Sequence, residues 1–443
     1  MAQEKEIIVA LELATTSIRA IAGQRLADGT MQVLAYSEET VNNCIRKGII
    51  DNIDKTTQAI SRVLGQISLQ LGCTVSRVYV GLSGQSLHTI LNPVQRTFAE
   101  KTQITAGMID QLMDTNRGVV YTDSKILEVI PQEYKVGNRP VIDVVGMQVD
   151  QLEARFLNVV ARTTLSENIE KCVRGAGLDI AELLIAPLTL ADTQLSASEK
   201  RSGCALVDIG ADTTTISIYT NNILRKLAVI PLGGHNITND ISTCLTVEHD
   251  EAEHLKIRWG SAWLNDRDKA RSNNIKLSHE RDVNEESLCE IVEARAEEIL
   301  MNIWKQLEQD IEKLTSGIVF VGGGAQLRSL ADAFQNYTNH NKHVRFAKGL
   351  PSDVTTKGGQ SIADNGRMYT IMSLLVHGDQ NCVRTESTTI VEPTPSVQAE
   401  VEVTTESSET QTDNTKTEET KTNSNKRFVN KIWEVIKASL TDE

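Results

Sequence analysis

The chain has 443 residues, 40% of them hydrophobic and 4% aromatic, with 45 basic against 59 acidic side chains and a formal net charge of −14. That length sets an expectation of about three domains with real cores, and the acidic excess excludes a general nucleic-acid binder, because nothing offsets phosphate repulsion. Seven cysteines lie scattered with no Cys-x-x-Cys pair, which argues against a disulfide framework or a zinc site and for reduced thiols. The charged opening Met1-Ala2-Gln3-Glu4-Lys5-Glu6 carries no signal-peptide pattern. No apolar run approaches the ~20 residues of a membrane-spanning helix. The expectation is a cytoplasmic chain, unless something shorter holds it to a membrane.

In chain order, Ile7 to Leu11 is an apolar strand, followed by the small and hydroxyl residues Ala14, Thr15, Thr16 and Ser17. Ile18 to Leu26 goes out, Asp28-Gly29 turns, and Met31 to Glu39 returns. Asp54 caps a helix carrying Ile60, Val63, Leu64, Ile67 and Leu71 on one face, and Gly72 ends it. Cys204 to Ile209 repeats the opening strand, and Gly210 to Thr215 repeats its hydroxyl loop. Ile216 to Thr220 goes out, Asn221-Asn222 turns, and Ile223 to Pro231 returns. The pattern predicts a duplicated α/β fold with a cleft between the halves. Glu285 to Leu314 carries Leu288, Val292, Ile299, Ile303, Leu307, Ile311 and Leu314 at helical spacing, a core-facing helix. Ile318 to Val321 is a strand emptying into Gly322-Gly323-Gly324, with a helix expected from about Ala325.

Two segments remain. From Asp379 to Asn425 large apolar residues almost vanish, and residues 379–424 hold ten acids against three bases. Such composition cannot offset the entropy of ordering, and predicts a disordered acidic linker. Beyond it, Phe428, Val429, Ile432, Trp433, Ile436 and Leu440 fall on one helical face, with Lys426, Arg427, Lys431 and Lys437 off it. This is the pattern of an amphipathic helix that lies on an anionic membrane surface or fills a partner's groove, and Trp, Phe and Lys at the boundary suit the lipid interface. Six apolar side chains at ~1.5–3 kcal/mol each, only partly buried and opposed by ordering entropy, give modest affinity for one tail. Several tails on one assembly bind far more tightly.

Asp208 ends a strand, Gly210 allows close backbone approach, and Thr213 and Thr214 offer hydroxyls. Thr15 and Thr16 occupy the matching loop of the first half, and Gly233-Gly234 is a further point of close approach. Backbone N–H groups, hydroxyls and one carboxylate are what a nucleoside triphosphate and its Mg²⁺ shell require.

This set resembles the actin, Hsp70 and sugar-kinase superfamily, and within it the FtsA family of bacterial cell-division proteins. Residues 78–84, 130–134, 152–155, 231–240, 252–256 and 367–370 carry the closer likeness. The resemblance implies ATP with Mg²⁺ as ligand. Thr15 and Thr16 would lie in the first phosphate loop, and Asp208, Gly210 and Thr213 in the second, with Asp208 reaching the metal through water. Gly233, Glu253 and Lys256 would flank the ribose, and Gly322, Gly323 and Gly324 the adenosine. It implies a division into 1–83, an inserted α/β subdomain 84–162, 163–245, a small second-lobe subdomain 246–316, a return segment 317–378, the linker 379–425 and the membrane helix 426–443. The implied function is an ATP-favoured head-to-tail polymer on the inner face of the cell membrane. It would tether the tubulin-like FtsZ through that protein's C-terminal peptide at 246–316, and contact later division proteins through 84–162. No catalytic residue is assigned. A pilus-assembly actin homologue and a small-molecule kinase of the same superfamily are the alternatives.

The first loop departs from the family pattern of Asp, apolar residue, Gly, Thr or Ser, and commonly Lys. Here it reads Glu12, Leu13, Ala14, Thr15, Thr16, Ser17. A longer carboxylate shifts relative to Mg²⁺, Ala14 adds a methyl, and Ser17 removes a cation. Binding with slow or negligible hydrolysis is expected.

Overall fold

The computed structural model describes residues 6–384 apart from 138, 142, 266–272, 278–281, 348, 350–353 and 357–365. The chain divides into two units after Arg384. The membrane-helix residues 426–443 and the linker from 385 onward lie outside the described residues.

The first half opens with β1 (Ile7–Leu13), β2 (Ser17–Arg25) and β3 (Met31–Thr40). The β2–β3 turn forms at the predicted place because Gly29 takes φ +88°, and the Asp28 carboxylate accepts both the N–H (3.0 Å) and the hydroxyl (2.7 Å) of Thr30. A short hairpin comes next, β4 (Ile45–Arg46) and β5 (Ile49–Ile50), turning at Lys47 and Gly48 with φ +51° and +73°. After it come α1 (Ile53–Leu71) and β6 (Arg77–Leu82). Asn52, not Asp54, caps α1: its side chain accepts the Lys55 N–H at 2.9 Å, and its extended backbone places it just outside the first turn. Gly72 closes the helix in the left-handed conformation, as predicted.

The chain then leaves for an inserted antiparallel sheet. It is built from β7 (His88–Gln103), β8 (Ser124–Val136), β9 (Arg139–Val141) and β10 (Gln148–Arg162), in the order β7-β10-β8-β9, with α2 (Ala106–Arg117) beside it. It returns through α3 (Thr163–Gly175), β11 (Asp179–Ile185), α4 (Ala186–Gln194) and the short α5 (Ala197–Ser202).

The second half repeats the plan with β12 (Cys204–Ile209), β13 (Thr214–Thr220) and β14 (Ile223–Ile230). Asn221 and Asn222 make the turn with φ +54° and +59°, the pairing that suits a right-twisted hairpin. Next come α6 (Gly234–Leu245), α7 (His249–Trp259), β15 (Asn274–Lys276), β16 (Asp282–Asn284) and α8 (Glu285–Leu307). The chain continues with β17 (Gly317–Val321), α9 (Leu330–Thr338), β18 (Val344–Phe346), β19 (Val354–Thr356) and α10 (Tyr369–His377).

The two main sheets run β11-β6-β1-β2-β3-β19 and β14-β13-β12-β17-β18. In each, an antiparallel hairpin meander is joined to parallel strands through its first strand. The predicted duplication is therefore topological as well as local. β19 pairs with β3 and carries the chain back to the first sheet.

Three expectations need correction. The helix predicted to Leu314 ends at Leu307, and a 3₁₀ turn at Ile311–Lys313 keeps Ile311 and Leu314 buried on the same side. No α-helix starts at Ala325; Gly324–Gln326 form a 3₁₀ turn, and Ser329 at φ +56° breaks the chain before α9. The linker does not begin at Asp379. Cys382 is fully buried, its N–H donates to the Ile7 carbonyl at 2.7 Å, and Arg384 donates to Thr74. The buried Tyr79 hydroxyl holds this strap: it donates to Asp379 Oδ1 at 2.8 Å and accepts the N–H groups of Asp379 (3.0 Å) and Gln380 (2.9 Å). Tyr79→Phe should therefore cost about 1–3 kcal/mol in denaturant titration, because all three hydrogen bonds of the hydroxyl, one given to Asp379 and two accepted from N–H groups, are lost. A loss below about 0.5 kcal/mol would show that water replaces the hydroxyl.

Candidate functional site

The two hydroxyl loops are the same turn. Ala14 N–H donates to Ser17 O at 3.0 Å, and Gly210 N–H to Thr213 O at 2.8 Å. Glu12 thus corresponds to Asp208, Thr15 to Ala211, Thr16 to Asp212 and Ser17 to Thr213. Both turns sit where the first strand of each sheet ends, the edge at which α/β folds bind ligands.

Glycine brings the second lobe's segments together. Gly322 takes φ +93°, and a Cβ there would fall 2.3 Å from Asp208 Oδ1 and 2.5 Å from Ile209 O. A Cβ on Gly324 would fall 2.4 Å from Ile209 Cγ2, and one on Gly233 would fall 2.6 Å from the carbonyls of Gly210 and Ala211. The N–H groups of Gly234 and His235, opening α6, donate to those same two carbonyls at 2.9 and 2.8 Å. Asp208, Gly210, Thr213, Gly233, Gly322 and Gly324 are thereby one floor, while Gly323 faces outward to Arg367 Cγ. Thr15 and Thr16 lie in the equivalent loop of the first lobe. Glu253 and Lys256, on α7, are more than a surface pair. Lys256 Nζ reaches Glu253 Oε2 (2.6 Å), Thr238 Oγ1 (2.8 Å) and Gly234 O (3.2 Å), so they meet the floor through Gly234. Burial lowers the Lys256 pKa; it works the other way on Glu253, whose carboxyl is nevertheless held below the ordinary range by that ammonium.

Electrostatics set the floor's chemistry. Burial, and then the charge of Glu12, push Asp208 up to about 7, and among the described residues no cation is paired with it. Such a carboxylate fits a cation delivered with a ligand. No group of three or more His, Cys, Asp or Glu among the described residues is arranged as a metal site. A cation at Asp208 would take its other ligands from water and phosphate, as Mg²⁺ does.

In the first loop Glu12 pairs at 3.2 Å with Arg19, which lies directly opposite it in the β1–β2 register. Arg19 also bonds Glu38 (3.0 Å) and the Arg367 carbonyl (3.0 Å), and is 4% exposed. Burial, outweighing Arg19, leaves the Glu12 carboxyl raised. Sequence reasoning missed Arg19 and also Asp212; the hairpin register could have found the first, since residues 12 and 19 are equidistant from the turn.

Two related α/β lobes, with matched hydroxyl loops and a glycine floor, define the actin-like class. Comparison with known proteins gives the family. A family model described as "Cell division protein FtsA" matches residues 205–370, and one described as "SHS2 domain inserted in FTSA" matches residues 84–160, the inserted sheet. The cell division protein FtsA of Pseudomonas aeruginosa is 29% identical over 387 residues, covering 85% of this chain and 90% of that one. That of Porphyromonas gingivalis is 30% identical over 344 residues, covering 76% and 71%. Among solved structures, a PilM-PilN type IV pilus biogenesis complex matches with TM-score 0.58 at 15% identity, over 83% of this chain and 97% of that one. MreB5 of Spiroplasma citri bound to ADP matches with TM-score 0.50 at 11% identity, over 84% and 95%; at these identities the likeness is one of fold. The chain belongs to the FtsA family of cell division proteins.

Proposed function

We propose that this protein binds ATP with Mg²⁺ in the cleft, self-associates head to tail on the inner face of the cell membrane, and tethers FtsZ there. The observation that carries the reading is the glycine floor around Asp208: an unpaired, cleft-facing carboxylate with three glycine approaches and two hydroxyl loops. Thr15, Thr16 and Thr213 supply hydroxyls to the phosphates, Glu253 and Lys256 stand on the ribose side, and Gly322, Gly323 and Gly324 pass the adenosine. The bound cation would neutralise phosphate charge; this chain's residues orient and enclose the ligand. With Glu12 committed to Arg19, hydrolysis is expected to be slow or negligible.

The remaining roles are likewise proposals. The FtsZ C-terminal peptide docks on 246–316, later division proteins on 84–162, and the 426–443 helix binds anionic lipid. No described helix is long and apolar enough to cross a membrane, which is compatible with peripheral attachment. Binding of an FtsZ C-terminal peptide to the full chain is the deciding experiment; no binding in the presence of Mg-ATP rejects the tether. Deleting residues 426–443 should abolish co-sedimentation with anionic vesicles. Retained sedimentation would place the anchor elsewhere.

A further inference from the structure

The loop proposed to hold phosphate contains a second carboxylate, Asp212, which that reading leaves without a role. Asp212 sits in the β12–β13 turn with its side chain 16% exposed. Left free, it would repel a triphosphate. It is not free. Oδ1 lies 2.8 Å from His235 Nδ1 at the start of α6, and Oδ2 accepts the backbone N–H of Lys47 at 3.0 Å. Lys47 belongs to the other lobe, at the tip of the β4–β5 hairpin, so this bond crosses the cleft.

The hairpin tip is gripped on its far side too. Gln85 N–H donates to the Lys47 carbonyl at 3.0 Å. Gly48 presses so closely on the place where the chain leaves β6 for the insert that a Cβ on it would fall 2.4 Å from Gly84 Cα. One residue, held at φ +51°, thus gives its N–H to the second lobe's loop and its C=O to the root of the inserted sheet. Asp212 rides on the second lobe and Lys47 on the first. Any opening that separates the lobes at this point must break their bond and release the tip.

We infer that Asp212 is a positioning residue: it latches the second phosphate loop to the hairpin tip of the other lobe, and through that tip it ties the loop's position to the root of the insert. The inference rests on the nucleotide reading for the name of the cleft, but the latch is a property of the protein alone. Both neighbours act on the tip through this one residue. A hydrogen bond to an ionised acceptor is of the stronger kind.

Hydrogen exchange of the full-length protein tests this directly, because the Lys47 and Gln85 amides are themselves the donors. Without nucleotide both should exchange slowly. Asp212→Ala should speed both by about tenfold or more, the loss expected for a bond to a charged group, with β12 and α8 unchanged. Asp212→Asn keeps an oxygen for the Lys47 N–H and should hold both amides within about threefold of the parent, since a neutral acceptor is weaker but present. Unchanged exchange at Lys47 in the alanine variant overturns the latch. A change at Lys47 with none at Gln85 overturns the link to the insert, and an asparagine variant as open as the alanine one overturns the acceptor role. Mg-ATP titration of the same samples reports separately on the cleft: absent binding rejects the nucleotide reading and leaves the exchange result standing.

Discussion

Replacing Arg19 with methionine should cost the folded protein about 3–5 kcal/mol at neutral pH, the usual consequence of stranding one partner of a buried ion pair. Methionine replaces the aliphatic stem, so the loss is one of charge and hydrogen bonding more than of packing. The stranded partner is Glu12, whose side chain is 14% exposed and whose charge is felt by Asp208. Burial already holds the Glu12 carboxyl above its ordinary 4.5 while Arg19 pulls the other way; without the cation its main opposition is gone. A carboxyl raised on folding stabilises below its unfolded pKa and loses that stability as pH rises through the folded value. The penalty should therefore be small near pH 4 and full at pH 7, and a second change, Glu12→Gln, should recover more than half of it. Denaturant titration at both pH values decides. An Arg19→Met protein within about 1 kcal/mol of its parent at pH 7 would mean the pair is solvated, as exposed pairs are.

How much of this was legible in the sequence depended on whether the cause was local. The turns at Asp28-Gly29 and Asn221-Asn222 were readable because side chains and φ preferences within four residues decide them. The duplication was readable for the same reason, because the same strand, hydroxyl loop, strand and turn occur twice. The end of α8 was not readable: Ile311 and Leu314 keep helical spacing in a 3₁₀ turn, and periodicity cannot tell the two apart. The strap 379–384 was invisible for a different reason. It is held largely by backbone groups donating to Tyr79 and Ile7, and composition records no backbone bond. In the site, the glycines were found because close approach demands that residue type. The Asp212–Lys47 contact joins segments 165 residues apart, and nothing near either residue announces the other. Glu253 and Lys256 entered only through the family resemblance, because their reach to Thr238 and Gly234 depends on how α6 meets α7.

Asp208→Asn should change the pH dependence of both stability and ligand binding, in opposite senses. Asp208 stands at about 7 when folded against 3.8 ordinarily, through burial first and Glu12 second. Its contribution to stability is therefore complete below about pH 3.8 and is lost as pH rises toward 7, by up to about 4 kcal/mol for a shift of this size. The free protein should weaken between about pH 4 and 7, and the asparagine variant should weaken less, Glu12 supplying the residual slope. Binding runs the other way. Mg-ATP brings a cation that prefers the ionised carboxylate, so affinity should rise about tenfold from pH 6 to 8 as Asp208 deprotonates. With EDTA present the ionised carboxylate only repels phosphate, and the trend should invert. Calorimetry on parent and variant side by side removes the ligand's own titration from the comparison. If the asparagine variant keeps the parent's rise in Mg-ATP affinity with pH, Asp208 does not face the cation, and the second loop must hold its ligand through Thr213 and backbone groups alone.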